Sequence, residues 1–261
     1  GRGSPHGGVY LSFQHCPERA LREAFGPVID RLAANGIDLT RMPVEVAPIA
    51  HYHMGGIAAD ARMQTGLPGL FAAGEAVGGA NGANRLSGNA ITEALVFGRR
   101  AGRSAAGYAK HLRRPPDHAD NADTAIALIA ADAAPCRFNT AEMLQTLQKT
   151  MQDDVGALRS EAKLVAALDT IRRLSEELGD APPGDGARFD MQRLDWFDLR
   201  NMLLVARVVA EAALARTETR GAQQREDYPQ LSPHWAVNQT VRLRNGCIEL
   251  SAARASAEAA S

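Results

Sequence analysis

An α+β fold is predicted, mixed over the first 110 residues and helical beyond about residue 137, and three observations carry that prediction. Two short segments of strand character flank one helical repeat near the start of the chain. Glycines then crowd the stretch from Gly55 to Gly107. After residue 137, three apolar runs recur at spacings of three and four, the pattern of a small helical bundle.

The elements follow in order. Val9-Tyr10-Leu11-Ser12-Phe13 alternates as a short strand. From Pro17, Leu21, Phe25, Val28, Ile29 and Leu32 recur at helical spacing, and Asn35-Gly36 supplies the stop. Met42 to Pro48 is extended, because each proline drives its predecessor out of the helical region. Leu70-Phe71-Ala72-Ala73 reads as a short buried strand ending at Gly74-Glu75. A helix is expected from Ala90 to about Ala109, carrying Ile91, Leu95, Val96, Gly98 and Gly102. Residues 111–136, with Arg-Arg-Pro-Pro and an Asp/Ala-rich run, read as a linker. The first bundle helix holds Leu144, Leu147, Met151, Val155 and Leu158, and the second Leu164, Leu168, Ile171, Leu174 and Leu178. The third follows Pro182-Pro183-Gly184 and holds Leu199, Leu203, Ala206, Val209 and Ala213, with Trp196 and Phe197 packing at its start. An extended tail is expected over Val241–Leu250.

Composition narrows the classes. A chain of 261 residues with 45% hydrophobic and 23% charged residues suits one large globular domain or two to three smaller ones. A net charge of −1 gives no basic field for nucleic acid or anionic lipid, and no apolar run approaches the roughly 18–20 residues of a transmembrane span. Cys16, Cys136 and Cys247 lie far apart, which speaks against a structural metal or disulfide framework and for a reducing, cytoplasmic compartment. The opening Gly1-Arg2-Gly3-Ser4-Pro5 has no signal-peptide features and no initiator Met, and reads as cut from something longer.

Residues 51–103 point to an anionic ligand or cofactor. His51 and His53 precede a tight Met54-Gly55-Gly56-Ile57 turn. Arg85 sits in a Gly/Asn-rich loop just ahead of a helix start, where a guanidinium fork and the helix N-terminus both favour a carboxylate. The bland alternative for Arg85 is a brace to backbone carbonyls, and for Glu75 a carboxylate that ends a strand at the surface. His53 is structural or near the site, and His6, His15, His111, His118 and His234 have no ligand spacing. The charges from Arg216 to Asp227 read as an interdomain or solvated ion-pair network. These residues alone do not name a ligand.

Five blocks carry a resemblance. They are His51-Tyr52-His53-Met54-Gly55-Gly56-Ile57, Gly69 to Glu75, Gly82-Ala83-Asn84-Arg85-Leu86-Ser87-Gly88-Asn89-Ala90, Glu93 to Arg99, and Arg216 to Pro229. In content and order the chain resembles the C-terminal half of flavoproteins of the succinate dehydrogenase / fumarate reductase / L-aspartate oxidase family. The resemblance implies a remnant of an FAD-binding α/β domain and capping domain followed by a C-terminal three-helix bundle. On that basis residues 1–50 are a capping-domain tail, 51–110 the last part of the FAD-binding domain, 111–136 a linker and 137–261 the helical domain.

The resemblance further implies FAD as cofactor, a small dicarboxylate as substrate, and hydride transfer between the substrate and flavin N5. His51 and Arg85 match substrate-binding positions. Glu75 matches the acidic residue that binds FAD hydroxyls, and Ala90 and Ile91 the pair whose backbone N–H groups reach the flavin pyrimidine edge. A helix N-terminus also suits that edge physically, since reduced flavin gathers negative charge there. Met54-Gly55-Gly56-Ile57 leans to the succinate/fumarate branch, with an L-aspartate oxidase-like enzyme or an inert fragment as alternatives. The implied partners are the N-terminal FAD-binding region and an electron-transfer subunit, the latter placing the protein on the cytoplasmic membrane face.

Three departures accompany the match. Asn81 stands where the family usually has His, and Gln223 and Thr219 replace the usual His and Ser. No Gly-x-Gly-x-x-Gly fingerprint is present among the 24 glycines. The proton-shuttling arginine is expected upstream of residue 1, so the catalytic residue is unknown here, and Arg2 falls after that position and is not assigned.

Overall fold

The computed structural model describes residues 3–4, 7–47, 51–82, 84–112, 119–130, 138–184, 187 and 189–254. Arg2, Pro5, His6, Pro48, Ala83, His118 and Cys136 lie outside the described residues, as do residues 113–118 and 131–136 on either side of a helix within the 111–136 stretch. The chain divides into two compact units, Gly1–His53 and Met54–Ser261, each taken by itself.

The first unit pairs β1 (Val9–Leu11) antiparallel with β2 (Val44–Val46), Tyr10 facing Glu45, around α1 (Glu18–Ala33). Both ends of α1 fall where capping logic puts them, after Pro17 and before Gly36 with its φ of 79°. Its interior is interrupted: Pro27 has no N–H to give to the preceding turn, and Phe25 leaves helical geometry at φ −133°. Leu21, Ile29 and Leu39 form the small core, with Phe13, Cys16, Leu32 and Val44 against it.

The second unit begins with a glycine-rich segment and continues through α2 (Asn89–His111), α3 (Ala119–Ile129), α4 (Thr140–Asp153), β3 (Leu158–Arg159), α5 (Glu161–Leu178) and α6 (Met191–Ala215). It ends with β4 (Gln224–Arg225) and a hairpin of β5 (Val237–Arg244) and β6 (Cys247–Arg254). The α4, α5 and α6 helices share one core of Met143, Leu147, Leu164, Ile171, Trp196, Leu203 and their neighbours. Each starts on a side-chain cap, Asn139, Ser160 and Asp190, whose oxygens accept backbone N–H groups of the first turn. Trp196 is fully buried and donates Nε1–H to Leu178 O at 3.1 Å, with Phe197 edge-on at 5.0 Å.

Four sequence expectations need correction. The strand over Leu70–Ala73 does not form. Phe71 makes one isolated bridge to Gln64, Leu70 is 48% exposed, and the chain runs into a 3₁₀ turn at Gly74–Ala76. Gly69 and Gly74, both at positive φ, turn the backbone at either side, so no ladder can extend. The linker stretch contains α3, tied to α6 by Arg193 Nη1 donating to Ile129 O at 2.7 Å. The first bundle helix stops at Asp153, so Val155 is buried beyond it and Leu158 enters β3. The extended tail is a full hairpin turning at Asn245-Gly246, both at positive φ as a two-residue type I′ loop requires.

Two of the Arg216–Asp227 charges, Glu218 and Arg225, are buried, while Glu226 and Asp227 are exposed, so the network is only partly solvated. Arg225, 1% exposed, donates from Nη1 to the carbonyls of Ala213, Leu214 and Arg216 at 3.0–3.1 Å. Its Nε and Nη2 clamp Asp227 at 2.8 Å each. One guanidinium thereby satisfies the terminal carbonyls of α6 that helix geometry leaves open. Beside it the fully buried Glu218 accepts from Arg216 (2.6 Å), from Arg220 (2.7 and 3.0 Å) and from Ser232 N (3.0 Å). Arg216 reaches on to the carbonyls of Trp235 and Val237 and stacks over the Trp235 ring at 5.1 Å, joining the hairpin to the bundle.

Arg225→Ala is expected to destabilise the protein by about 3–5 kcal/mol, since it strands a carboxylate and three carbonyls. Lys149→Ala breaks only the exposed pair with Asp153 and should stay within about 0.5 kcal/mol. Denaturant unfolding of both variants reads the contrast.

Burial alone would raise the Glu218 carboxyl, but the hydrogen bonds from Arg220, Ser232 and Arg216 outweigh it and hold the pKa down at about 2, from an ordinary 4.5. Arg225 likewise holds Asp227 well below the carboxylate range. A depressed folded-state pKa contributes stability that is complete above the unfolded value and is lost as pH falls through the folded one. Thermal stability should therefore fall between pH about 5 and about 2, with a shallower fall in Glu218→Gln measured by calorimetry.

Candidate functional site

The second unit builds its site on close backbone approach. Ile57 and Val77 bridge in parallel, Ile57 N donating to Ala76 O at 2.8 Å and Gly78 N to Ile57 O at 3.2 Å. A Cβ on Gly56 would stand 2.6 Å from Ala76 O, and one on Gly78 would stand 2.7 Å from Gly56 N. Only glycine at both positions lets these two segments meet. Nearby, Asp60 Oδ1 accepts the N–H groups of Arg62 and Gln64 and closes a tight turn over the buried Met63. That turn is braced on α2, where Arg100 Nη1 donates to Ala61 O and Tyr108 meets Phe71 edge-on at 6.1 Å.

The helix α2 organises the predicted residues of this unit. Glu75 is exposed on the 3₁₀ turn, and that turn packs on α2 at Gly74, where a Cβ would lie 3.6 Å from Ala94 Cα. Ala90 and Ile91 occupy the first turn of α2, Ile91 72% exposed. The N-cap is Gly88 at φ 90°, and this end has neither a side-chain cap nor an acidic residue in its first turn among the described residues. The first-turn N–H groups therefore meet no carboxylate of the helix itself, which fits a site for an anionic edge. Arg85 lies four residues ahead of Asn89 and is partly buried. Its backbone N–H goes to Asn84 Oδ1 at 2.8 Å and its Nη1 to Leu86 O at 2.9 Å, so the carbonyl-bracing role is present alongside any ligand role.

Arg85, Ala90 and Ile91 thus lie just before or in the first turn of α2, and the turn that carries Glu75 packs on the same helix at Ala94. His51 is exposed near the end of the first unit and is described with that unit. Sequence reading overlooked Glu93, which is 8% exposed and accepts both 3.1 and 3.2 Å hydrogen bonds from Asn81 Nδ2. The available signal was a carboxylate followed at once by Ala94-Leu95-Val96 on a helix, where a charge needs a partner. Among the described residues no group of three or more His, Cys, Asp or Glu side chains could hold a metal, and no helix is long and apolar enough to cross a membrane.

Comparison with known proteins gives this arrangement a lineage. Residues 144–256 match the profile described as fumarate reductase flavoprotein C-term, and residues 1–91 the profile described as FAD binding domain. A fumarate reductase (CoM/CoB) subunit of Methanothermobacter marburgensis is 38% identical over 240 residues, covering 90% of this chain and 43% of that protein. The L-aspartate oxidase of Rhodospirillum rubrum is 36% identical over 228 residues, covering 87% of this chain and 73% of that protein. The Mycobacterium smegmatis Sdh1 complex in the apo form matches with a TM-score of 0.81 at 37% identity, over 97% of this chain and 44% of the matched one. The chain is related to FAD-dependent oxidoreductases. The chain belongs to the succinate dehydrogenase / fumarate reductase / L-aspartate oxidase flavoprotein family. It spans less than half the length of several relatives, 43% of the Methanothermobacter protein and 43% of the succinate dehydrogenase flavoprotein of Coxiella burnetii.

Gly78→Ala is expected to destabilise by about 1–3 kcal/mol through the clash with Gly56. Gly98→Ala adds a Cβ that meets nothing within 4 Å inside α2 and should be neutral or stabilising by up to about 1 kcal/mol. Thermal melts of the two variants separate close approach from helix propensity.

Proposed function

We propose that this chain forms part of an FAD-dependent oxidoreductase acting on a small dicarboxylate of the succinate or fumarate kind. The observation that carries the reading is the Arg85–Ile91 segment. It sets a partly buried guanidinium four residues ahead of a helix start that has no side-chain cap, with the Glu75 turn packed on the same helix. Bound FAD would supply, at N5, the position that takes or gives the hydride.

The residues of the chain then do the rest. Arg85 clamps one substrate carboxylate, and His51 is the second substrate-binding residue. A held carboxylate fixes the reacting carbon, and such orientation can supply several kcal/mol of the barrier. The backbone N–H groups of Ala90 and Ile91 hold the pyrimidine edge, and the α2 dipole offsets negative charge there. Glu75 accepts hydrogen bonds from FAD hydroxyls. In this reading residues 1–50 are a capping-domain tail, 51–110 complete the FAD-binding domain, and 137–261 are the helical domain. A partner that passes electrons is supported by relatives whose names describe them as subunits.

L-aspartate oxidation is the second reading, favoured by the match that covers 73% of the Rhodospirillum rubrum enzyme. The substrates decide between them, because fumarate and succinate differ from L-aspartate by an ammonium group that the site must also accept.

Arg85→Ala in the full-length, FAD-loaded protein is expected to lower kcat/KM by about 100-fold or more, while Glu75→Ala chiefly lowers flavin content. Steady-state rates with succinate, fumarate and L-aspartate, alongside the visible flavin spectrum, make the comparison. An Arg85→Ala enzyme within a few-fold of the parent would sink the carboxylate role. A protein that takes up no flavin at all would favour the inert-fragment reading.

A further inference from the structure

We propose that Asn81 and Glu93 form a clamp that positions Arg85, making Asn81 a positioning residue for substrate orientation. The proposal rests on the carboxylate role given to Arg85 above. Asn81 Nδ2 donates to both oxygens of Glu93, at 3.1 and 3.2 Å, and Glu93 sits one turn into α2 with only 8% of its surface exposed. The other end of the same span is fixed by the start of α2 itself, where Asn89 N donates to Leu86 O at 3.2 Å. Arg85 is therefore carried on a short span tied at both ends to one helix.

The need for such a tie follows from the sequence. Gly82 and Gly88 bracket Arg85, and glycine gives up more conformational freedom on ordering than any other residue. A guanidinium on an untied glycine loop would spend most of its time away from the geometry that holds a carboxylate. Closing the loop on a buried carboxylate removes that freedom before substrate arrives. Glu93 suits the task because its oxygens are withdrawn from water, where a lost partner is costly. Asn81 suits it because its amide donates without carrying charge of its own. The family's usual histidine at this position is also a donor, so the role survives the substitution in chemical kind.

The test uses the full-length, FAD-loaded protein and whichever of succinate, fumarate or L-aspartate it turns over. Asn81→Ala should lower kcat/KM by about 10- to 100-fold, with KM raised and flavin content unchanged, and Asn81→His should recover most of the loss. If Asn81 acts through Arg85, the Asn81→Ala/Arg85→Ala double variant is no slower than Arg85→Ala alone, within about twofold. Losses that multiply instead would overturn the proposal, as would an Asn81→Ala enzyme within about threefold of the parent or one that loses its flavin. Amide hydrogen exchange over residues 84–88 gives a readout independent of chemistry. Exchange there should quicken in Asn81→Ala, and unchanged protection would refute the clamp. If Arg85→Ala alone proves harmless while that exchange still quickens, the carboxylate role is what fails and the clamp on the loop stands.

Discussion

The helical part of this chain depends on one buried guanidinium. Arg225 closes the C-terminal end of α6 by giving one nitrogen to three carbonyls, and its other donors hold Asp227. Next to it, Glu218 gathers Arg216 and Arg220, and Arg216 carries the connection into the hairpin. Remove the apolar core and no bundle forms; the cluster, together with Gln239 Nε2 donating to Ala212 O at 3.0 Å, ties the end of α6 to the start of β5. A lysine would not reproduce Arg225, since its three donors radiate from one nitrogen and cannot give the two-pronged contact to Asp227 and reach three carbonyls as well. The arrangement explains why so many charges can be withdrawn from water: each is paired, and most serve a backbone group as well.

The site depends on a different constraint, that of space. Gly56 and Gly78 meet at a separation no side chain allows, and this brings the turn carrying Glu75 within reach of α2. Around it, the fold relies on single bridges and backbone turns in place of continuous ladders. Irregular backbone of this kind exposes N–H and carbonyl groups toward a ligand, which regular strands would consume in pairing one another.

Much of this was legible in the sequence. Periodicity gave α1, α2 and the three bundle helices because each has a long apolar repeat. Ordered motif blocks gave the family; of the residues they picked out, Arg85, Ala90 and Ile91 lie just before or in the first turn of α2, and Glu75 lies on a turn that packs on that helix at Ala94. What escaped reading has a common cause, in that it depends on partners distant in sequence. Leu70–Ala73 has the composition of a strand but makes a single bridge, Phe71 to Gln64, that does not extend into a ladder. Arg225 looked solvated because its partners, the carbonyls of Ala213 and Leu214, carry no side-chain signature. The pairing of Asn81 with Glu93 spans twelve residues and joins a loop to a helix face. The hairpin escaped as well: Asn245-Gly246 has the residue types of a two-residue turn, but the tail was expected as a single extended run over Val241–Leu250.

Leu86, just ahead of α2, and Ile91 and Leu95 in its first turns are more than two-thirds exposed. Ile91 and Leu95 share a face, four residues apart. Apolar surface kept in water is a reservoir of free energy, roughly 25 cal/mol for each Å² later covered. By mass action, anything that covers this face in the folded chain stabilises the helix in proportion to its own affinity. The helix that scaffolds the candidate site is thus an element whose stability is open to being set from outside.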